Sequence, residues 1–403
     1  MVRFGLGRSS TGNHPCNAER AVRSDRDHKA RLGELALVFL RLGTTAFGGP
    51  AAHIAMMEDE VVRRRRWMTR EEFLDLLGAA NLIPGPNSTE LAIHVGHRQG
   101  GWAGLLVAGV SFILPAVLIV TAFAWAYVRY GSLPEVAGIL YGVKPVIIVI
   151  VLQALWSLGK TAVKTKFLAV VGLAGIALTW LGVHELLILA GAGLLVVLVR
   201  VVARHDRRSL SVCSINQFAF LLQSTATSTF GLLPLFLFFL KVGAVLYGSG
   251  YVLLAFIRAD LVERWHWLTE TQLLDAIAVG QVTPGPVFTT ATFIGYVLGG
   301  YQGAIVATLG IFLPAFCFVA LSGPLVPRIR RSPAAGAFLD GVNVAALSLM
   351  VLVIYQLGRA SLVDIKTVLI GVISGFILFR FRINSAWAVL GGAIVGWILS
   401  AGK

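Results

Sequence analysis

Long apolar runs separated by short, mostly basic polar segments fill the chain from about residue 34 to its C-terminus. The runs at 103–128, 136–158, 167–183 and 186–201 read as transmembrane helices, because about 20 apolar residues cross roughly 30 Å of hydrocarbon. Two earlier runs, 34–57 and 72–97, are each interrupted near the middle by helix breakers: Gly48-Gly49-Pro50 in one, Pro84-Gly85-Pro86 in the other. Residues 34–57 carry basic sequence on both flanks, the arginine-rich start of the chain before them and Arg63 to Arg66 after. A simple span would put those flanks on opposite sides of a membrane, against the rule that basic loops stay in the cytoplasm. A re-entrant helical hairpin removes the conflict, and 72–97 is read the same way. Lys160, Lys164 and Lys166, then Arg200, Arg204, Arg207 and Arg208, then fall on the cytoplasmic side.

The pattern occurs twice. Phe39-Leu-Arg-Leu-Gly43 is echoed by Phe239-Leu-Lys-Val-Gly243, Trp67-Met-Thr69 by Trp267-Leu-Thr269, and Pro84-Gly85-Pro86 by Pro284-Gly285-Pro286, all at an offset of 200 residues. After a one-residue gap the copies stay aligned at Gly100-Gly101 with Gly299-Gly300 and at Leu158-Gly159 with Leu357-Gly358. The chain therefore divides into a basic cytoplasmic tail (1–33), an N-terminal repeat (34–202), a linker (203–233) and a C-terminal repeat (234–403). An uncharged lead-in from Cys213 to Leu233 is a candidate linking span. If it crosses, the second repeat is inverted relative to the first, which builds a site on a pseudo-two-fold axis at the bilayer midplane. The expected fold is an all-α polytopic membrane protein of two homologous, inverted repeats. Each holds two broken, re-entrant hairpins followed by about four transmembrane helices.

Composition narrows the class further. Of 403 residues, 57% are hydrophobic and only 13% charged, with mean hydropathy +0.80, so a water-soluble globule is excluded. The net charge of +14 lies in short segments beside apolar spans, as membrane topology requires, and nucleic acid is not an expected partner. Cys16, Cys213 and Cys317 stand far apart with no metal-ligand spacing, so neither a disulfide framework nor a metal or other cofactor is expected. Positioned nucleophile, base and redox site are all missing, which argues against an enzyme.

The breaks themselves mark the candidate site. Backbone freed from a helix inside a membrane persists only where protein or a water-filled cavity satisfies it. A helix resuming after Pro50 or Pro86 presents free N–H groups and the positive end of its dipole, which favour an anion. Asn81, Asn87, Ser88 and Thr89 in the first copy, and Thr289 and Thr290 in the second, add neutral polar groups beside them. Arg41 and Lys241, inside apolar stretches, are candidate counter-charges, and His53 follows Gly49-Pro50 closely enough to reach a ligand. Glu90 and His94, one helical turn apart, are a candidate proton-coupling pair. The predicted substrate-binding set is thus Arg41, Gly48, Gly49, Pro50, His53, Asn81, Pro84 to Thr89, Lys241, Pro284 to Pro286, Thr289 and Thr290. Lys144 is a further intramembrane cation whose second-copy counterpart, Asn343, is uncharged.

Phe47-Gly-Gly-Pro-Ala-Ala-His53, Pro84-Gly-Pro-Asn-Ser-Thr-Glu90 running on to His94, and the second Pro-Gly-Pro in a duplicated chain together resemble the chromate ion transporter family. The resemblance covers nearly the whole chain beyond the tail. It implies a multi-pass carrier of the bacterial inner membrane that expels chromate, a tetrahedral divalent oxyanion, and so confers chromate resistance. Sulfate is the natural competitor, and a carrier or channel for another anion such as sulfate is the alternative. Membrane lipid is the expected surrounding, and a homodimer is left open.

Overall fold

The computed structural model describes residues 32–47, 49–131, 133–203, 229–247, 250–330, 332–381 and 383–401. Nearly all of the basic tail, Gly48, Arg204, Arg207, Arg208 and the lead-in as far as residue 228 lie outside the described residues.

The first repeat comprises α1 (32–45), α2 (Pro50–Glu58, continued by a π-helical turn Asp59–Arg64), α3 (Arg70–Ala80), α4 (Asn87–Tyr130), α5 (Pro134–Ala162), α6 (Lys166–Trp180) and α7 (Glu185–Ala203). The second follows the same order. It has α8 (Leu232–Val245), a 3₁₀ turn Gly250–Val252 leading into α9 (Leu253–Ile257), a π-helical turn Arg258–Arg264, and α10 (Glu270–Val282). A 3₁₀ turn Val287–Thr289 leads into α11 (Thr290–Arg330), followed by α12 (Pro333–Ser361), α13 (Ile365–Phe381) and α14 (Ser385–Ala401). Even the irregularities recur: each π-helical turn is followed two residues on by one with positive φ, Arg66 at 52° and His266 at 53°. The one-residue gap between the copies falls where α4 starts directly after Pro86 but α11 is preceded by a 3₁₀ turn.

Both broken runs are hairpins. Glu34 at the start of α1 pairs with Arg65 just past the π-helical turn, so α1 and α2 return to one end. Arg98 bonds Glu72 at 2.9 Å and Gln99 bonds the Trp67 carbonyl at 3.0 Å, bringing the far end of the second hairpin back beside α3. Each arm of the first hairpin, at about 1.5 Å per residue, is too short to cross the hydrocarbon alone. Taken as one straight rod, α4 would run about 66 Å, roughly twice the hydrocarbon thickness. It is two helices instead, folded back at Gly100 (φ −137°, ψ 20°) and Gly101 (φ 57°, ψ −144°). The two segments then lie so close that a Cβ at Gly96 or Gly104 would strike the other's carbonyl oxygen. Gly299 and Gly300 fold α11 at nearly the same angles.

The repeats run in opposite directions. Lys164, just past the end of α5, pairs with Asp340 near the start of α12 at 2.8 Å, while Tyr141 near the start of α5 bonds Asp364 just past the end of α12 at 2.5 Å. Since α5 and α12 are equivalent elements, their antiparallel packing is that of an inverted repeat. The pairing of α5 with α14 agrees, with Gly138 against Ser400 and Gly142 against Gly392 and Gly396.

Among the described residues, four stretches are long and apolar enough to cross a membrane: Asn87–Tyr130, Glu135–Ala162, Val287–Ser322 and Pro333–Ser361. The span expected at 167–183 is shorter than that reading, because α6 ends at Trp180 and rises only about 22 Å. Each repeat has its own aromatic core, Phe39, Phe73 and Phe112 in the first and Phe239, Phe256 and Phe293 in the second. Trp102, Trp180, Trp387 and Trp397 stand exposed on the apolar outer surface, where a lipid solvent accommodates them.

Candidate functional site

The tips of the hairpins cross over between repeats. The Gly85 N–H donates to the Leu246 carbonyl at the end of α8, at 2.8 Å, and the Gly285 N–H donates to the Ala46 carbonyl at the end of α1, at 3.0 Å. These are one contact made twice, since Gly85 corresponds to Gly285 and Ala46 to Leu246. Each break thus gives the other repeat the hydrogen bond that a lipid surrounding would deny it. The glycines are required: φ is +140° at Gly85 and +96° at Gly285, and a Cβ at Gly285 would come within 2.7 Å of the Ala116 methyl.

Around this crossing lies a small, partly open cavity, lined by Pro50, Gly85, Pro86, Asn87 and Ser88 from the first repeat and by Gly250, Pro286, Val287 and Phe288 from the second. At the start of α4, the Thr89 and Glu90 amides turn back to the Pro86 carbonyl, while those of Asn87 and Ser88 precede any intrahelical acceptor. The Val287 and Phe288 amides stand in the same relation to the chain leading into α11. Pro50 is the first residue of α2, whose N-cap, Gly49 (φ 80°), makes no side-chain cap. Helix N-termini of both repeats therefore face one space, and none of its described lining residues carries a charge.

The predicted site residues fall into three groups. Pro50, Gly85, Pro86, Asn87, Ser88 and Pro286 line the cavity. Gly49, Asn81, Pro84, Pro284, Gly285, His53, Thr89, Glu90 and His94 stand beside or behind it. Asn81 Oδ1 accepts from Asn87 Nδ2 at 2.6 Å. His53 is 1% exposed, with Nε2 3.0 Å from the Ala46 oxygen and Nδ1 3.3 Å from Ser88 Oγ, so it touches the lining through Ser88. Glu90 is fully buried, with neither carboxyl oxygen hydrogen-bonded, and one oxygen lies where a Cβ on Gly85 would sit. Thr89 Oγ1 and His94 Nε2 likewise have no hydrogen-bond partner among the described residues.

The remaining residues stand outside the lining. Thr289 and Thr290 donate their hydroxyls to the Pro286 and Val287 carbonyls, each at 2.8 Å, which leaves no proton to offer a ligand. Lys241 is held by Asp260 at 2.6 Å, and Asp260 also pairs with Arg264, which reaches Glu185 at 3.1 Å. In the first repeat the equivalent acid, Glu60, is engaged by Arg64 and Arg65, so Arg41 is left exposed and outside any ion pair among the described residues.

Sequence reasoning missed Gly250, Val287 and Phe288, whose only prior mark was position after a break. It also missed Asp275, which is 2% exposed on α10 and sits between Tyr127 (2.9 Å) and Lys144 (3.2 Å) of the first repeat. The signal for it was Lys144 itself, an intramembrane cation in need of a partner.

The profile of the chromate transporter family matches residues 33–197 and again 233–397, the two halves that the structure shows as repeats. A chromate transport protein of Cupriavidus metallidurans is 35% identical over 91% of this chain and 93% of its own length. A probable chromate transport protein of Synechococcus elongatus is 34% identical over 85% of this chain and 88% of its own. An uncharacterised transporter of Bacillus subtilis, YwrA, is 30% identical over 39% of this chain and 91% of its own length, the size of a single repeat. No solved structure matches the chain.

Proposed function

The chain belongs to the chromate transporter family, and on that premise we propose that it is a secondary transporter exporting chromate across the bacterial inner membrane. The observation that carries this reading is the cavity at the crossing of the two repeats, lined by Asn87 and Ser88 where α4 starts and by Val287 and Phe288 in the turn that leads into α11. A tetrahedral oxyanion presents acceptors in several directions and suits donors converging from opposite sides. The absence of charge among the lining residues favours release as well as capture. Helix N-termini contribute about 0.3–2 kcal/mol each, enough to select an anion without trapping it.

Inverted repeats around a central site support alternating access, in which one repeat rocks against the other and opens the cavity to each side in turn. The hairpins enter as re-entrant elements whose tips meet near the midplane. An interior negative by about 100 mV favours loss of an anion by roughly 2.3 kcal/mol per charge, and about twice that for chromate. Proton exchange through Glu90 and His94 adds to this drive, because a carboxyl without partners in so dry a place tolerates charge poorly. The sequence holds no Gly-x-x-x-x-Gly-Lys-Ser/Thr loop for nucleotide. Export of this kind confers chromate resistance.

The test is accumulation of labelled chromate in everted membrane vesicles, with unlabelled sulfate as competitor and with membrane potential and pH gradient collapsed separately. Saturable accumulation that falls when either gradient is removed is expected. No accumulation by folded, correctly oriented protein overturns chromate as cargo.

A further inference from the structure

We propose that His53 is a positioning residue that sets the polarity of Ser88, so that the cavity offers an anion a hydroxyl donor only while the ring carries a second proton. The inference rests on the cavity being the anion site. Its basis is two hydrogen bonds whose directions are not free. A carbonyl only accepts, so Nε2, 3.0 Å from the Ala46 oxygen, must carry the hydrogen. In a neutral ring Nδ1 is then bare and accepts, and its partner at 3.3 Å is Ser88 Oγ. The single hydroxyl proton of Ser88 is thereby committed to the ring, and only lone pairs face the cavity that Ser88 lines.

A proton on Nδ1 reverses the bond. Nδ1–H now donates to Ser88 Oγ, and the hydroxyl hydrogen rotates toward the cavity, beside the free amides of Asn87 and Ser88. Anion binding and ring protonation thus favour one another, and by linkage each strengthens the other equally. One proton enters on His53 for each anion held by Ser88.

The surroundings leave the ring to answer to this partner. From α1 it meets the Ala46 carbonyl, which also accepts from Gly285 of the second repeat. From α4 it meets Ser88 and the ring of Phe112, edge-on at 5.7 Å. Among the described residues no charged side chain bonds His53. The titratable group next along α4 is Glu90, whose carboxyl lies against Gly85, and on α2 itself the next charged residue is Glu58. In the second repeat Leu253 stands where His53 does, so the device exists once.

The experiment is equilibrium binding of labelled chromate to the full-length protein in detergent, from pH 6 to pH 8. Chromate's own protonation is common to every protein compared and cancels in their differences. The unmodified protein is expected to weaken with rising pH by up to about tenfold per unit. His53→Gln donates to Ala46 and accepts from Ser88, fixing the neutral arrangement. Its affinity is expected to stay low and to lose that slope. Ser88→Ala should lose the slope too, and carries the test if His53→Gln does not fold. Val287→Trp, which fills the cavity from the other repeat, should abolish binding at every pH. Retained binding in Val287→Trp overturns the site and the proposal together. Loss of binding there, with an unchanged slope in His53→Gln or Ser88→Ala, overturns the His53 role alone.

Discussion

The two repeats share a skeleton and differ in what they hang on it. Gly85 and Gly285 make the same bond to the opposite repeat, and Gly100-Gly101 and Gly299-Gly300 fold their helices at nearly the same angles. The side chains after the breaks diverge: Asn87, Ser88, Thr89 and Glu90 against Val287, Phe288, Thr289 and Thr290. His53 corresponds to Leu253, and Arg41, outside any ion pair among the described residues, corresponds to a Lys241 bound to Asp260. Backbone geometry must be symmetric for the tips to satisfy one another. Proton and anion chemistry needs only one copy, and the proposed function assigns it to the first. The second supplies two free amides, apolar walls and carboxylates that lock cations in place.

The largest expected effect breaks the symmetric part. Gly285→Ala forces a left-handed φ and drives a methyl into Ala116, which has no rotamer with which to yield. Displacing the tip by about 1 Å should reduce chromate accumulation by roughly 100-fold or more. Gly85→Ala meets first the end of the Glu90 side chain, which can turn aside, so its loss in the same vesicle assay should be smaller.

Next comes the contrast between Asp275 and its counterpart Asp75. Asp275→Ala leaves Lys144 half-buried without its carboxylate and should destabilise the protein by about 3–5 kcal/mol. Asp75 is exposed, where an interaction contributes little, and Asp75→Ala should cost no more than about 1 kcal/mol. Thermal unfolding in detergent checks both. Comparable losses would mean that Lys144 and Asp275 do not hold the repeats together.

Arg41 and Lys241 sharpen the functional asymmetry. Arg41→Ala should lower chromate transport by about tenfold, some 1.4 kcal/mol in the barrier, with stability unchanged. Lys241→Ala should instead lower stability, since Asp260 loses a partner at 2.6 Å. Unchanged transport in Arg41→Ala would remove Arg41 from the anion's path.

The smallest effect concerns the two capping boxes. Thr69 and Glu72 cap α3, and Thr269 and Gln272 cap α10 in the same way. The Thr69 amide, then Arg98, hold the Glu72 carboxyl below its usual range. A group depressed in the folded state stabilises above its unfolded pKa, and that contribution is lost as pH falls through the folded one. Stability should therefore decline on acidification, below about pH 4.5, slightly more in the unmodified protein than in Glu72→Gln. Unfolding temperatures followed between about pH 3 and 6 give the comparison, and identical acid limbs would show that the cap does not titrate.

Helix breaks, hairpins and duplication were legible in the sequence because glycine and proline act locally and the offset of 200 residues is unmistakable. The inversion was legible only as an expectation from the uncharged lead-in. In the structure it rests on pairs such as Lys164 with Asp340, which no local pattern foretells. Within the site, Pro50 and the Pro-Gly-Pro elements were found because a broken helix announces itself. Gly250 and Val287 were not, since nothing in an apolar residue says which cavity it lines. His53 was read as reaching a ligand, and the structure interposes Ser88. Lys241 was read as a candidate counter-charge for an anion, and Asp260, in the returning arm of the same hairpin, was overlooked as its partner.

The central claim is that one anion site lies between the hairpin tips of the two repeats. Diffraction from chromate-soaked crystals at the chromium absorption edge tests it most directly. The expected result is a single anomalous peak between the amides of Asn87 and Ser88 on one side and those of Val287 and Phe288 on the other. A peak elsewhere, or none at a chromate concentration that saturates transport, would contradict it.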